Sequence, residues 1–264
     1  MLNPDYRAAQ ALFADAAEPA LSGRIVAVVG ATGGLGTALC KALARADATV
    51  VMLGRKLQRL EQLYDAIEPL GSCTPAMAEL DLARLDREGA QAVAEMLFAE
   101  FGRLDALVLA AVDGGTPAPQ LEIDDAQFAR VMQVNVAAQR TLIAALTPLL
   151  AHSPDASLVT LLDHRPGAYS GVYGLSKQAM HALMHQLADE SEHAKGADGA
   201  PRLAINGYDP GPVRTPLRRR FFAGEHASES PAPDDRLAPL LHLIARTDRS
   251  LTGAALAWIS DAMA

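Results

Sequence analysis

The stretch Arg24-Ile-Val-Ala-Val-Val-Gly30-Ala-Thr-Gly-Gly34-Leu-Gly36 decides the fold. Arg24–Val29 is an unbroken apolar run after its first residue, the pattern of a strand covered on both faces. Glycines end it. From Leu35 to Ala46 the apolar residues Leu35, Leu39 and Leu43 recur at the spacing of one helix face. Strand, glycine-rich turn and helix together open a βαβ unit. Glycine at such a turn permits tight backbone and close approach of a ligand, and the helix N-terminus offers free N–H groups to an anion. Taken alone, the same glycines would also serve a merely tight turn.

The alternation continues outward. Strands are predicted over Ala48–Leu53, Pro75–Leu80, Ala106–Ala111, Leu158–Leu162, Leu203–Gly207 and Ala254–Ile259. Helices are predicted through Leu57, Leu60, Leu63 and Ile67, then over Leu85–Phe101, Asp125–Leu150 (with Pro148 near its end), Tyr173–Glu190 and Leu237–Ala245. Apolar strands alternating with helices imply an α/β fold, a Rossmann-type doubly wound parallel sheet of about seven strands in a single domain. Residues 23–264 form that domain, preceded by an N-terminal extension over 1–22. The stretch 209–236, rich in Pro, Arg, Ser and Asp, is expected to be a mobile substrate loop. No internal repeat is visible.

Composition narrows the function. Half of the 264 residues are hydrophobic, enough to bury a sizeable core. The 23 basic against 31 acidic residues, a net charge of −8, argue against a general nucleic-acid binder, which needs clustered positive charge. Cys40 and Cys73, the two cysteines, form no Cys-x-x-Cys pair, so neither a zinc finger nor a disulfide scaffold is expected. Asp5, Arg7, Asp15 and Glu18 interrupt any signal-peptide core, and no uncharged apolar run has membrane-spanning length. The expectation is a cytoplasmic protein with a small-molecule substrate and neither a nucleic-acid nor a membrane partner.

Two side-chain groups carry chemistry. At the second strand's end stand Arg55 and Lys56, where a carboxylate would bind ribose hydroxyls and an arginine a 2′-phosphate. This favours NADP(H) over NAD(H), the alternative being a solvated helix start. Tyr173-Gly-Leu-Ser-Lys177 places a phenol and an ammonium one helical turn apart, where the cation stabilises phenolate. A tyrosine and lysine at that spacing are also common on plain surfaces. His181 and His185 have a metal spacing but no third ligand, so no metal site is expected. Arg218-Arg219-Arg220 reads either as a solvated face or as an attractor for an anionic substrate. Met132 and Met184 read as core.

Together these residues resemble the short-chain dehydrogenase/reductase family from about Arg24 to Trp258. Gly30-x3-Gly34-x-Gly36 is similar to its cofactor turn, with Val29 in place of the usual threonine. Asp81-Leu82 resembles its adenine-contacting pair, Val134-Asn135-Val136 its helix asparagine, Tyr173/Lys177 its Tyr-x-x-x-Lys pair, and Asp209-Pro-Gly-Pro-Val213-Arg-Thr215 its turn beside nicotinamide. Leu53-Gly-Arg55, Val131–Asn135 and Ser157–Val159 look closest to the bacterial YciK-like branch. The resemblance implies catalytic roles for Tyr173, Lys177 and Asn135. It implies cofactor contacts from Gly30, Thr32, Gly34, Leu35, Gly36, Arg55, Lys56, Asp81, Leu82, Ala110, Tyr173, Lys177, Pro210, Gly211, Val213 and Thr215, and a homotetramer or homodimer. Two departures stand out. The family's Asn-Asn-Ala-Gly signature falls on Leu109-Ala110-Ala111-Val112, and its catalytic serine on Asp163, with a loop to Tyr173 about three residues shorter. Pteridine reductases of the family are similar in carrying aspartate there, which implies a role for Asp163 toward a C=N substrate. The alternative is an ordinary turn residue in a degenerate, cofactor-binding or interaction subunit.

Overall fold

The computed structural model describes residues 6–14, 16, 19–163, 167–191, 199, 202–226 and 228–259. In chain order the elements are β1 (Tyr6–Ala8), α1 (Ala9–Leu12), β2 (Ile25–Val29), α2 (Gly34–Arg45), β3 (Thr49–Gly54), α3 (Leu57–Ile67), β4 (Ala76–Glu79), α4 (Arg87–Phe101) and β5 (Ala106–Leu109). There follow α5 (Asp125–Met132), α6 (Ala138–Ala151), β6 (Ala156–Leu161), α7 (Gly171–Ser191), β7 (Leu203–Asp209), α8 (Pro216–Phe221), α9 (Ala238–Ala245) and β8 (Ala255–Ala257). All strands pair in parallel in one eight-stranded sheet, order β1-β8-β7-β6-β5-β2-β3-β4.

Among the described residues eight strands stand where about seven were expected. The additional one is β1, drawn from the stretch read as an extension. Three residues are too few to show a period, and only pairing with β8 makes them a strand. Side chains of Gln10 and the main chain of Ile259 bond in both directions just beyond that pairing.

Alternate side chains of each central strand feed opposite cores, as the pleat requires. Val26 and Val28, Val50 and Met52, and Ala106 and Val108 face α2, α3 and α9. Ala27 and Val29, Val51 and Leu53, and Leu107 and Leu109 face α4, α6 and α7. This double burial explains the unbroken apolar runs.

The long helix predicted from Asp125 is interrupted. A π turn over Gln133–Ala137 separates α5 from α6, with the Ala138 N–H reaching back to the Gln133 carbonyl. Asp125–Ala151 is long and apolar enough to cross a membrane by length and composition. Here, however, Leu142, Leu146, Leu149 and Leu150 are buried in the sheet's core. The sheet reverses its winding between β2 and β5, which opens a crevice at the carboxyl ends of the strands.

Candidate active site

The glycine turn lies at that crevice, and the three motif glycines are each required by contact. Gly30 has φ +85°, and a Cβ on it would lie 2.5 Å from the Ala111 nitrogen. A Cβ on Gly36 would meet the Gly30 carbonyl oxygen at 2.3 Å, so α2 crosses the strand end at backbone contact. One on Gly34 would meet Thr215 Cγ2 at 2.7 Å, joining this turn to the segment after β7. Gly33 caps α2 without a side chain, and the first turn holds no acidic residue. The helix N-terminus therefore keeps its N–H groups and positive potential for an anion. Backbone cradle, bare helix start and crevice all fit a dinucleotide pyrophosphate.

Beside the turn, Arg55 and Lys56 stand exposed past β3. The Thr32 hydroxyl lies 3.6 Å from where a Cβ on Gly54 would sit, at the same strand end. Asp81 accepts the Ala83 N–H at 3.1 Å and pairs weakly with exposed Arg84 at 3.9 Å. Leu82 is buried, and its carbonyl and that of Leu85 accept hydrogen bonds from Gln133 Nε2.

After β5, the Ala110 N–H donates to the Val29 carbonyl at 2.9 Å. The loop then depends on the facing helix. Asn135 Oδ1 accepts the Asp113 N–H at 2.7 Å, and Nδ2 donates to the Asp113 carbonyl and to Ser176 Oγ, both at 2.9 Å. With every polar group of its side chain engaged, Asn135 acts as a bracket between loop and α7. Ser176 Oγ in turn donates to the Tyr173 carbonyl at 2.7 Å. The Asp113 carboxylate accepts from Arg130 Nε and from the Gly115 N–H, each at 2.8 Å. Burial works against its charge, but these donors outweigh it and hold the carboxyl below the usual range.

Tyr173 and Lys177 project from the start of α7 toward the ends of β6 and β7. The Tyr173 hydroxyl donates to Asp163 Oδ2 at 2.9 Å, and Lys177 Nζ donates to the Leu161 carbonyl at 2.7 Å. The lysine nitrogen lies 5.7 Å from the tyrosine ring centroid. Burial, then the charge and hydrogen bond of Asp163, then Asp209, push the Tyr173 phenol well up, with Arg218 opposing. Burial pulls the Lys177 ammonium down while Asp163 and Asp209 hold it up. Asp209, buried at the end of β7, accepts the Gly211 N–H at 2.8 Å and so shapes the Pro210-Gly211 turn, where Gly211 has φ +68°.

Val213 is buried beyond that turn, and Thr215 caps α8 by accepting the Arg218 N–H. Phe221 of α8 tilts over Tyr173 with ring centroids 5.3 Å apart. Arg218 is engaged by Glu225 through two 2.8 Å bonds and lies 3.8 Å over the Phe222 ring, while Arg219 and Arg220 are exposed. His181 and His185 meet each other, Nε2 to Nε2, at 3.0 Å. Among the described residues no three candidate metal ligands gather.

The structure thus brings Tyr173, Lys177 and Asp163 together, with Asn135 behind them, and sets the glycine turn, Ala110 and Thr215 along the same crevice. Sequence reading missed Ser176, Asp113, Phe221 and Gln139, whose Nε2 donates to the Ala111 carbonyl at 2.9 Å. Ser176 had a signal, since it lies inside the Tyr-x-x-x-Lys pair. The stretch between Asp163 and Tyr173, expected to be short, lies partly outside the described residues.

A doubly wound parallel sheet with a glycine turn at its crevice and a Tyr/Lys pair at its carboxyl edge defines an oxidoreductase of the dinucleotide-fold class. The profile for short chain dehydrogenase matches residues 24–226, and the chain belongs to that family. It is 33% identical over 236 residues to the uncharacterized oxidoreductase YciK of Escherichia coli, covering 88% of this chain and 90% of the relative. A short chain dehydrogenase structure from Pseudomonas syringae superposes with TM-score 0.85 at 34% identity, covering 96% of this chain and 98% of that one. One from Shigella flexneri, complexed with NADP, gives TM-score 0.85 at 32% identity over 91% of this chain and 99% of that one. One from Escherichia coli CFT073, complexed with NADPH, matches with the same score and identity over 91% of this chain and 98% of that one.

Proposed function

We propose that this oxidoreductase is an NADP(H)-dependent reductase that transfers hydride between nicotinamide and a small carbonyl or C=N substrate. The observation that carries the reading is the phenol of Tyr173, held by Asp163 at 2.9 Å beside the Lys177 ammonium, at the strand ends that the glycine turn also reaches. Support for the cofactor comes from the NADP- and NADPH-bound relatives and from Arg55 and Lys56 where a 2′-phosphate would lie. Gly30, Thr32, Gly34, Leu35 and Gly36 would hold the pyrophosphate side, Asp81 and Leu82 the adenine, and Ala110, Pro210, Gly211, Val213 and Thr215 the nicotinamide side. When bound, the cofactor supplies the hydride.

The chain's own residues handle the proton. Tyr173, whose hydroxyl donates to Asp163, gives that proton to the reduced heteroatom, and Asp163 orients or protonates the substrate in place of the family's serine. Lys177, its nitrogen 5.7 Å from the ring centroid, supplies the positive charge that lowers the cost of the phenolate left behind. Asn135 keeps Ser176 and the start of α7 in register. A cytoplasmic location and a homodimer or homotetramer belong to the same proposal.

Fluorescence titration with NADPH and NADH, followed by a turnover screen of ketones, quinones and pterins, tests the reading. Tight NADPH binding with turnover supports it. Binding without any turnover would favour a catalytically degenerate subunit, a reading to which the missing signature amides and serine lend weight. Binding of neither nucleotide would sink both.

A further inference from the structure

We infer that Gln139 is a positioning residue for the cofactor turn, doing from helix α6 what the signature amides absent from 109–112 cannot do from the loop. The inference rests on the cofactor reading above. Gln139 is buried, and its Nε2 donates to two main-chain carbonyls, that of Ala111 at 2.9 Å and that of Val134 at 3.3 Å. Val134 lies in the π turn, where the regular helix ladder is displaced. A single amide therefore satisfies one carbonyl of the irregular helix and ties the post-β5 loop to it.

Among the described residues the loop has little else to hold it at this point. Ala110 and Ala111 carry no polar side chain, Ala110 is fixed by its own N–H to Val29, and the next anchor is Asp113 on Asn135. What Gln139 holds in place is the wall of the turn. A Cβ on Gly30 would stand 2.5 Å from the Ala111 nitrogen, 2.6 Å from its Cα and 2.9 Å from the Ala110 carbonyl carbon. Gly30 in turn supports Gly36, whose missing Cβ faces the Gly30 oxygen at 2.3 Å. A displacement of Ala111 away from α6 is therefore passed through backbone contact alone into the turn that receives the pyrophosphate.

Gln139→Met keeps the length and bulk of the side chain and removes both donated bonds. It is expected to weaken NADPH about tenfold, the effect of losing a buried hydrogen-bond donor to a main-chain oxygen. It should also speed amide exchange across residues 110–115 with no cofactor present. Leu142→Val, a cavity in the buried face of the same helix, is the control. It should lower the melting temperature and leave NADPH affinity within about twofold. Gln139→Glu sets a carboxylate against two carbonyl oxygens, which raises its pKa, and regains a donor on protonation. Its affinity gap to the wild type should narrow as the pH is lowered from about 8 to about 6, and this variant serves if the methionine one does not fold. Wild-type affinity and wild-type exchange in Gln139→Met would overturn the inference, as would an equal loss of affinity in Leu142→Val at a matched melting temperature. If the wild type itself does not bind NADPH, the cofactor reading fails, and the exchange rates at 110–115 alone decide whether Gln139 holds the loop.

Discussion

Asp163→Asn removes one negative charge 2.9 Å from the Tyr173 oxygen while keeping the volume and one acceptor oxygen. The direction follows from what raises the phenol. Burial comes first, but the Asp163 charge and its hydrogen bond come next, and both oppose phenolate. A hydrogen bond to an ionised acceptor is worth about 1.5–3 kcal/mol, against about 1 kcal/mol for a neutral one. The weaker bond of the neutral amide therefore lets the phenol fall from its raised position. The lost charge repulsion adds to this in the same direction. Lys177 moves the same way, because Asp163 is one of the two carboxylates that hold its ammonium up against burial. The alkaline limb of the pH–rate profile, measured for Asp163→Asn beside the wild type, should therefore shift downward. Turnover near neutrality should fall about 10²-fold or more in Tyr173→Phe, which loses the acid itself. An unmoved alkaline limb would refute the coupling of Asp163 to the Tyr173/Lys177 pair, and an active Tyr173→Phe would refute the proton assignment.

Arg55→Ala should remove most of an NADPH-over-NADH preference of at least about tenfold, since a charge-assisted bond to phosphate contributes about 1.5–3 kcal/mol; calorimetry with both nucleotides checks it. Gly36→Val should abolish NADPH binding while far-UV circular dichroism stays α/β, because its Cβ cannot occupy the 2.3 Å to the Gly30 oxygen. The Asp113 carboxyl titrates below its usual 3.8 in the folded chain, so its ties to Arg130 and Gly115 stabilise at neutral pH and fade as the pH falls through and below that value. The stability gap between wild type and Asp113→Asn in urea titrations should close over that range. Deleting residues 1–14 strips β1 from β8 and with it buried Tyr6, for about 1.5–3 kcal/mol from that side chain alone. The melting temperature should drop by about 5 °C or more, and the bared β8 edge should promote association in sedimentation runs.

The sheet was legible because its signals are local. Val26–Val29, Val50–Leu53 and Ala106–Leu109 announce themselves as doubly buried strands, and Gly30, Gly34 and Gly36 announce a turn of close contacts, without reference to any other part of the chain. β1 was not legible for the opposite reason. Tyr-Arg-Ala has no period of its own, and its strand state exists only through β8, about 250 residues further on. The π turn was hidden in the same way, since Gln133–Ala137 continues the apolar spacing of its flanking helices and differs only in where the hydrogen bonds go.

The site divides along the same line. Tyr173 and Lys177 could be paired by counting one helical turn, and Asp163 could be suspected from its place after a strand. That Tyr173 donates to Asp163 depends on how α7 docks against β6, which no spacing encodes. The clearest case is the loop at 109–112. Leu109, Ala110, Ala111 and Val112 read as a loss, because a sequence motif records only which side chains stand in the loop. The carbonyls and N–H groups that such a loop exposes still require partners when buried. In the folded chain the partners come from the other side, with Asn135 on Asp113 and Gln139 on Ala111. Asn135 is the helix asparagine of the family pattern, and Gln139, 28 residues beyond Ala111 in sequence, is the amide that reaches the 109–112 stretch itself. The absence of a motif in one element is therefore weak grounds for a decayed site, so long as the opposing element carries donors that reach the same backbone.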